Sequence, residues 1–203
     1  MKTRLPRHTL IAAALTGLVA AGAVQAASDT DVIRIGFITD MSGPYADTDG
    51  PGGLEAIRMA VQDAGGSVLG KKIEILSADH QNKPEIASAR AREWIDQQGL
   101  SMLIGGVNSA AGLAMNGIIK EKHVPYINIG AATARLTNED CTPYTVHYEY
   151  DTVALAKGTG SAVIKQGGKS WYFLVADYAF GHSLEADTSA VIKANGGTVV
   201  GSV

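Results

Sequence analysis

The chain has 203 residues, 46% of them hydrophobic and 18% charged, a composition that can bury a core and excludes a disordered or low-complexity protein. Its formal charge is −3 at neutral pH, and the three basic residues among positions 1–26 have no acidic counterpart there, so the remainder is more acidic still. That balance argues against nucleic acid or an anionic membrane surface as a partner.

The first segment reads as an export signal. Lys2, Arg4 and Arg7 make a positive start, and Leu10 to Val19 form an apolar stretch. That stretch is too short for a membrane span of about 20 residues. Val24-Gln25-Ala26 then offers small residues for cleavage before Ala27. No cysteine stands at the cleavage site, which excludes a lipid at the new N-terminus. The expectation is a signal peptide over residues 1–26, a periplasmic mature protein and no direct membrane insertion.

Val32 to Ile38 is β-branched and apolar and predicts a strand, followed by a Gly- and Pro-rich loop from Asp40 to Gly53. Leu54, Ile57, Val61 and Ala64 recur at helical spacing until Gly65-Gly66 ends the pattern. Lys72 to Leu76 reads as a second strand. Pro84 opens a helix with the stripe Ala87, Ala91, Trp94 and Ile95. The cycle repeats as strand 102–105, helix 110–122 and strand 124–129, then an irregular stretch near 133–143. A helix follows over 151–165, weakened by Gly158 and Gly160, then strand 171–176, helix 183–194 and an apolar strand from Gly197 to Val203. Strands alternating with helices indicate βαβ units, an α/β fold with parallel sheets flanked by helices. The irregular stretch sets the expected boundary between a lobe over 27–147 and a partial second lobe over 148–203. The closing apolar strand without a following helix reads as the end of a fragment.

Several motifs tempt and fail. Gly65 to Lys71 matches G-x-x-x-x-G-K, yet Lys72 stands where a Ser or Thr belongs and the segment leads into a strand, not a helix. Gly105, Gly106 and Gly112 do not fit G-x-G-x-x-G. Gly181-His182-Ser183-Leu184-Glu185 resembles a nucleophile elbow except for its final Glu. His80, His123, His147 and His182 lack metal-ligand spacing, so no metal and no cofactor are expected. Cys141 is the only cysteine and reads as an unpaired thiol, or one whose partner lies in sequence beyond this chain.

In open parallel sheets ligands bind beyond the carboxyl ends of the strands. There the chain places Ser42-Gly43, Asn108-Ser109 and Gly130-Ala131-Ala132-Thr133. Ser109 falls at a predicted helix start, where a capping hydroxyl and free N–H groups favour an anion. Gly130 allows close approach of backbone to ligand.

Ile35 to Pro44, Gly70 to Ile75, Leu103 to Gly105 with Ser109, Val124 to Gly130, Leu136-Thr137 and Asp177 to Gly181 together resemble the solute-binding proteins of branched-chain amino acid-type ABC transporters. The resemblance runs in order through the chain after residue 26. It implies the type I periplasmic binding protein fold, two Rossmann-like lobes around a cleft, with the second lobe incomplete. It implies a small carboxylate-bearing ligand and a membrane permease as partners, and no enzymatic activity. By the same resemblance, Ser109 bonds the ligand carboxylate, the Gly130 carbonyl meets an amino group, and Phe180 falls near a capping tyrosine. Ala110, Ala131, Thr133 and Tyr150 complete the expected lining. Ala132 stands in place of a threonine, Phe180 lacks the hydroxyl, and Thr48 replaces a large aromatic. These departures point to an aromatic or other hydrophobic carboxylate beside the branched-chain amino acids. The competing readings are a receptor's ligand-sensing domain and a secreted α/β hydrolase built on Ser183.

Overall fold

The computed structural model describes residues 31–203; the signal-peptide segment, 1–26, lies outside the described residues. The elements in chain order are β1 (Val32–Thr39), α1 (Ala46–Asp49), α2 (Pro51–Asp63), β2 (Ser67–Val68), β3 (Lys71–Asp79), α3 (Pro84–Gln98), β4 (Leu100–Gly105), α4 (Ser109–Lys122), β5 (Tyr126–Asn128) and a 3-10 turn (Ala134–Thr137). After these come β6 (Thr145–His147), α5 (Thr152–Leu155), a π-helical segment (Ala156–Gly160), α6 (Ser161–Lys165), β7 (Ser170–Phe173), α7 (Ala179–Ala194) and β8 (Thr198–Ser202).

Six strands form one sheet in the order β2-β3-β1-β4-β5-β6, parallel except for the short β2–β3 hairpin. β7 and β8 form a second, two-stranded parallel sheet. This is the α/β architecture with parallel sheets and flanking helices that the strand–helix alternation predicts. The parallel arrangement of the large sheet brings Thr39, Asp79, Gly105, Asn128 and His147 to one edge. The loops that follow them share that edge.

The core lies between the large sheet and helices α3 and α4. Ala87, Ala91 and Trp94 of α3 and Ala111, Met115 and Ile119 of α4 are buried against Ile38, Leu103 and Tyr126. The predicted α3 stripe is therefore the packed face, with Ile95 at its margin. Burying an aromatic ring such as Trp94 removes about 150–250 Å² from water, worth about 4–6 kcal/mol at ~25 cal/mol/Å². Gly36 makes room for that ring: a Cβ there would lie 2.9 Å from Trp94 and 2.8 Å from Leu100 Cδ1. Helix α2 differs, since none of its residues is buried and Leu54, Ile57 and Val61 are only half-covered.

Other elements depart from the sequence pattern. α2 begins at Pro51, before the first apolar repeat, because proline suits the first helical turn. α7 begins at Ala179, which places Ser183 inside the helix and not at its start. β6 arises just after the irregular stretch, where no strand is predicted, and pairs with β5. The helix over 152–165 continues through Gly158 and Gly160 by widening to a π turn. No helix among the described residues is long and apolar enough to cross a membrane.

Candidate ligand-binding site

A cleft of ≈ 210 Å³ opens at the shared strand edge, lined by Tyr45, Thr48, Val107, Ser109, Gly130, Ala132, Tyr150, Tyr178 and Phe180. The first six come from α1, the start of α4 and loops around the large sheet, Tyr150 from the loop between β6 and α5, and Tyr178 and Phe180 from the start of α7 beside the small sheet. None of the nine carries a charge. Of the residues singled out from sequence, Ser109, Gly130, Tyr150 and Phe180 line the cleft, as do Thr48 and Ala132, the positions of two departures from the family pattern. Ala110 is not among its lining residues, and Ala131 and Thr133 are fully buried behind it.

Ser109 is not the cap of α4. Asn108 holds that position, its side-chain oxygen accepting from the Ala111 N–H at 3.0 Å. Ser109 is the first helical residue, and its Oγ accepts instead from the Thr133 N–H at 3.3 Å. An oxygen that accepts there keeps its own proton to donate. Thr133 Oγ1 lies 2.8 Å from Ser183 Oγ, tying the 3-10 turn to α7. Gly130 is required by packing: a Cβ would lie 2.9 Å from Val107 Cα.

A buried polar network fixes these loops. Asn128 donates to Tyr126 Oη at 2.8 Å and to the Gly106 carbonyl at 3.2 Å, and its Oδ1 accepts from the Ala131 N–H at 3.0 Å. Asn108 donates to Asn82 Oδ1 at 2.6 Å, and the Asn82 N–H donates to His80 Nδ1 at 3.0 Å. Burial pulls the His80 pKa down against the pull of Asp40 and Asp79, favouring a neutral ring that can accept. Asp40, fully buried, accepts from the N–H groups of Gly43 at 2.9 Å and Tyr45 at 3.0 Å, which places Tyr45 at the cleft. Tyr45 and Tyr178 bring their hydroxyls to 2.7 Å across the cleft.

Asp49 sits beside Thr48. Desolvation pushes its carboxyl from 3.8 up to about 6, against the Thr39 hydroxyl bond, with the Asp40 charge adding to the rise. Its Oδ2 is buried without a hydrogen-bond partner.

The other motifs resolve into structure. The Gly65 to Lys71 segment spans the β2–β3 hairpin and opens no helix. Ser183 lies within α7 and bonds Thr133, while His182 bonds Asp177 at 3.0 Å, so the elbow geometry of a hydrolase is not formed. His147 Nε2 lies 2.6 Å from the Ala131 carbonyl and His123 stacks on Tyr144 at 4.9 Å. Among the described residues no group of three or more His, Cys, Asp or Glu could hold a metal ion. Cys141 is an exposed free thiol. Sequence reasoning missed Tyr45, Val107 and Tyr178 as lining residues; the available signal was their place just after predicted strands or, for Tyr178, two positions before Phe180.

Comparison with known proteins gives the family. The family described as periplasmic binding protein matches residues 32–203. Leu/Ile/Val-binding protein homolog 6 of Brucella abortus is 27% identical over 191 residues, 94% of this chain and 48% of its own length. A periplasmic binding protein from Burkholderia mallei, known from its crystal structure, is 66% identical with a TM-score of 0.82, covering 85% of this chain and 46% of that one. A solute-binding protein of an ABC transporter from R. palustris, solved in complex with benzoate, is 26% identical with a TM-score of 0.75, covering 85% of this chain and 48% of that one. The chain thus spans about half the length of the relatives it matches. With the match running from β1 through β8 on a parallel α/β scaffold, this chain belongs to the periplasmic binding protein family.

Proposed function

We propose that this chain is part of a periplasmic solute-binding protein that captures a small aromatic or hydrophobic carboxylate between two lobes, 27–147 and 148–203. It presents that ligand to the membrane permease of an ABC transporter. It acts by binding and not by catalysis, and residues 1–26 direct its export. The observation that carries this reading is the cleft itself: four aromatic side chains, one serine with a proton to give, and no charged lining residue. A carboxylate placed there meets the Ser109 hydroxyl beside the N-terminal N–H groups of α4, where the helix dipole favours negative charge. A hydrophobic body meets Val107, Ala132, Tyr150 and Phe180. The apolar surfaces of Tyr150 and Phe180 suit an aromatic acid, with the branched-chain amino acids as the alternative. The benzoate held by the R. palustris relative supports the same class.

Isothermal titration of the full-length protein with benzoate, Leu, Ile and Val tests this. Tight binding of benzoate with weak binding of the amino acids is expected. Tight binding of Leu alone overturns the aromatic-acid reading.

A further inference from the structure

The two tyrosines that meet across the cleft have unspent hydrogen-bonding capacity. Each phenolic hydroxyl has one proton and two acceptor positions. The 2.7 Å contact between Tyr45 and Tyr178 uses one proton and one acceptor position of the pair, and neither hydroxyl has another partner. One O–H and three acceptor positions therefore remain at a cleft whose other walls include Val107, Ala132 and Phe180. The main chain at both tyrosines is held in place. The Tyr45 N–H donates to buried Asp40 at 3.0 Å, and the Tyr178 N–H donates to the Ala176 carbonyl at 2.8 Å. The Tyr178 ring also lies 6.0 Å from that of Phe180 at an angle of 39°. Desolvation, with the Tyr45 bond adding to it, raises the Tyr178 pKa, so that hydroxyl keeps its proton.

A ligand that closes over this pair without a polar group of its own strips water from the spare hydroxyl capacity and returns nothing. A site that offers hydrogen bonds to a ligand hydroxyl discriminates against the analogue lacking it far more strongly than an apolar pocket discriminates by size. We propose that the Tyr45–Tyr178 pair is a specificity-determining element of the cleft that favours aromatic acids bearing a ring hydroxyl over unsubstituted or methylated ones. This rests on the reading of the cleft as an aromatic-acid site.

The test is isothermal titration of the full-length protein with benzoate, 4-methylbenzoate and 4-hydroxybenzoate, for the wild type, Tyr45→Phe and Tyr178→Phe. Each variant keeps its ring and loses only a hydroxyl, and thermal melts identify those that remain folded. The wild type is expected to prefer 4-hydroxybenzoate over 4-methylbenzoate by about tenfold or more. Either folded variant should reduce that preference to about threefold or less. If all three acids bind the wild type without preference, or if the preference survives in a folded variant, the proposal is overturned and the aromatic-acid reading stands. If none of the acids binds the wild type, the aromatic-acid reading fails and this proposal fails with it.

Discussion

Replacing Asn128 with alanine should unfasten the floor of the cleft. Asn128 is fully buried at the end of β5, and its carboxamide joins the loop after β4 to the loop after β5 through three hydrogen bonds. Truncation leaves the Ala131 N–H without its 3.0 Å acceptor and the Gly106 carbonyl without its 3.2 Å donor. Tyr126 suffers less, because its hydroxyl still donates to the Gly105 carbonyl at 3.2 Å. An orphaned buried polar group costs about 1–3 kcal/mol, so two of them plus a weakened third predict a loss of about 3–5 kcal/mol. That is a large share of a total stability of about 5–15 kcal/mol. Urea denaturation followed by tryptophan fluorescence measures it through midpoint and slope. Asn195→Ala is the comparison, since that carboxamide makes one exposed bond to the Val191 carbonyl, and the expected change is under about 0.5 kcal/mol. A loss below about 1 kcal/mol for Asn128→Ala would refute the reasoning and mean that water or loop movement satisfies the freed groups.

On the proposed reading, Ser109→Ala removes a hydrogen bond to the ligand carboxylate and should weaken binding by about tenfold to a hundredfold; unchanged affinity in calorimetry would leave Ser109 a packing residue. Gly36→Ala should destabilise by about 1–3 kcal/mol, because the new methyl meets Trp94 and Leu100 inside contact distance; an unchanged denaturation midpoint would show that α3 can shift. Asp49 binds its proton more tightly in the folded state than in the unfolded one, so its contribution is present below pH 3.8 and lost as pH rises through about 6. Asp49→Asn should therefore gain melting temperature relative to wild type between pH 4.5 and pH 7.5, roughly the window around that shift. A pH-independent difference would contradict the raised pKa.

The fold was legible where burial and periodicity coincide. Ala87, Ala91 and Trp94 recur at helical spacing and all face the sheet, so α3 could be read together with its packed side. β6 could not, because three residues make no period and their pairing depends on β5. The start of α4 was misassigned by one residue. Asn108 and Ser109 are both good caps, and which one bends back to the Ala111 N–H is settled by tertiary contacts, Asn82 holding Asn108 and Thr133 occupying Ser109. For the cleft, small residues after strands pointed to Ser109 and Gly130. Tyr45 and Tyr178 stand 133 positions apart, and no local pattern signals their contact.

The π-helical segment has a consequence for how this chain tolerates length change. Along the helix from Thr152 to Lys165, the buried residues are Thr152, Ala156, Gly160 and Ile164, a strict spacing of four. A regular helix turns about 400° in four residues, so such a row would drift about 40° per step and wind away from α7. The widened turn at 156–160 takes up that drift and keeps the row facing one way. Removing one exposed residue there, such as Gly158, would change the spacing from four-four-four to four-three-four, the ordinary rhythm of an amphipathic helix. The segment is thus a one-residue insertion already absorbed by the helix. A single deletion at this point leaves both flanks in register, whereas the same deletion in α3 would rotate Trp94 out of the core.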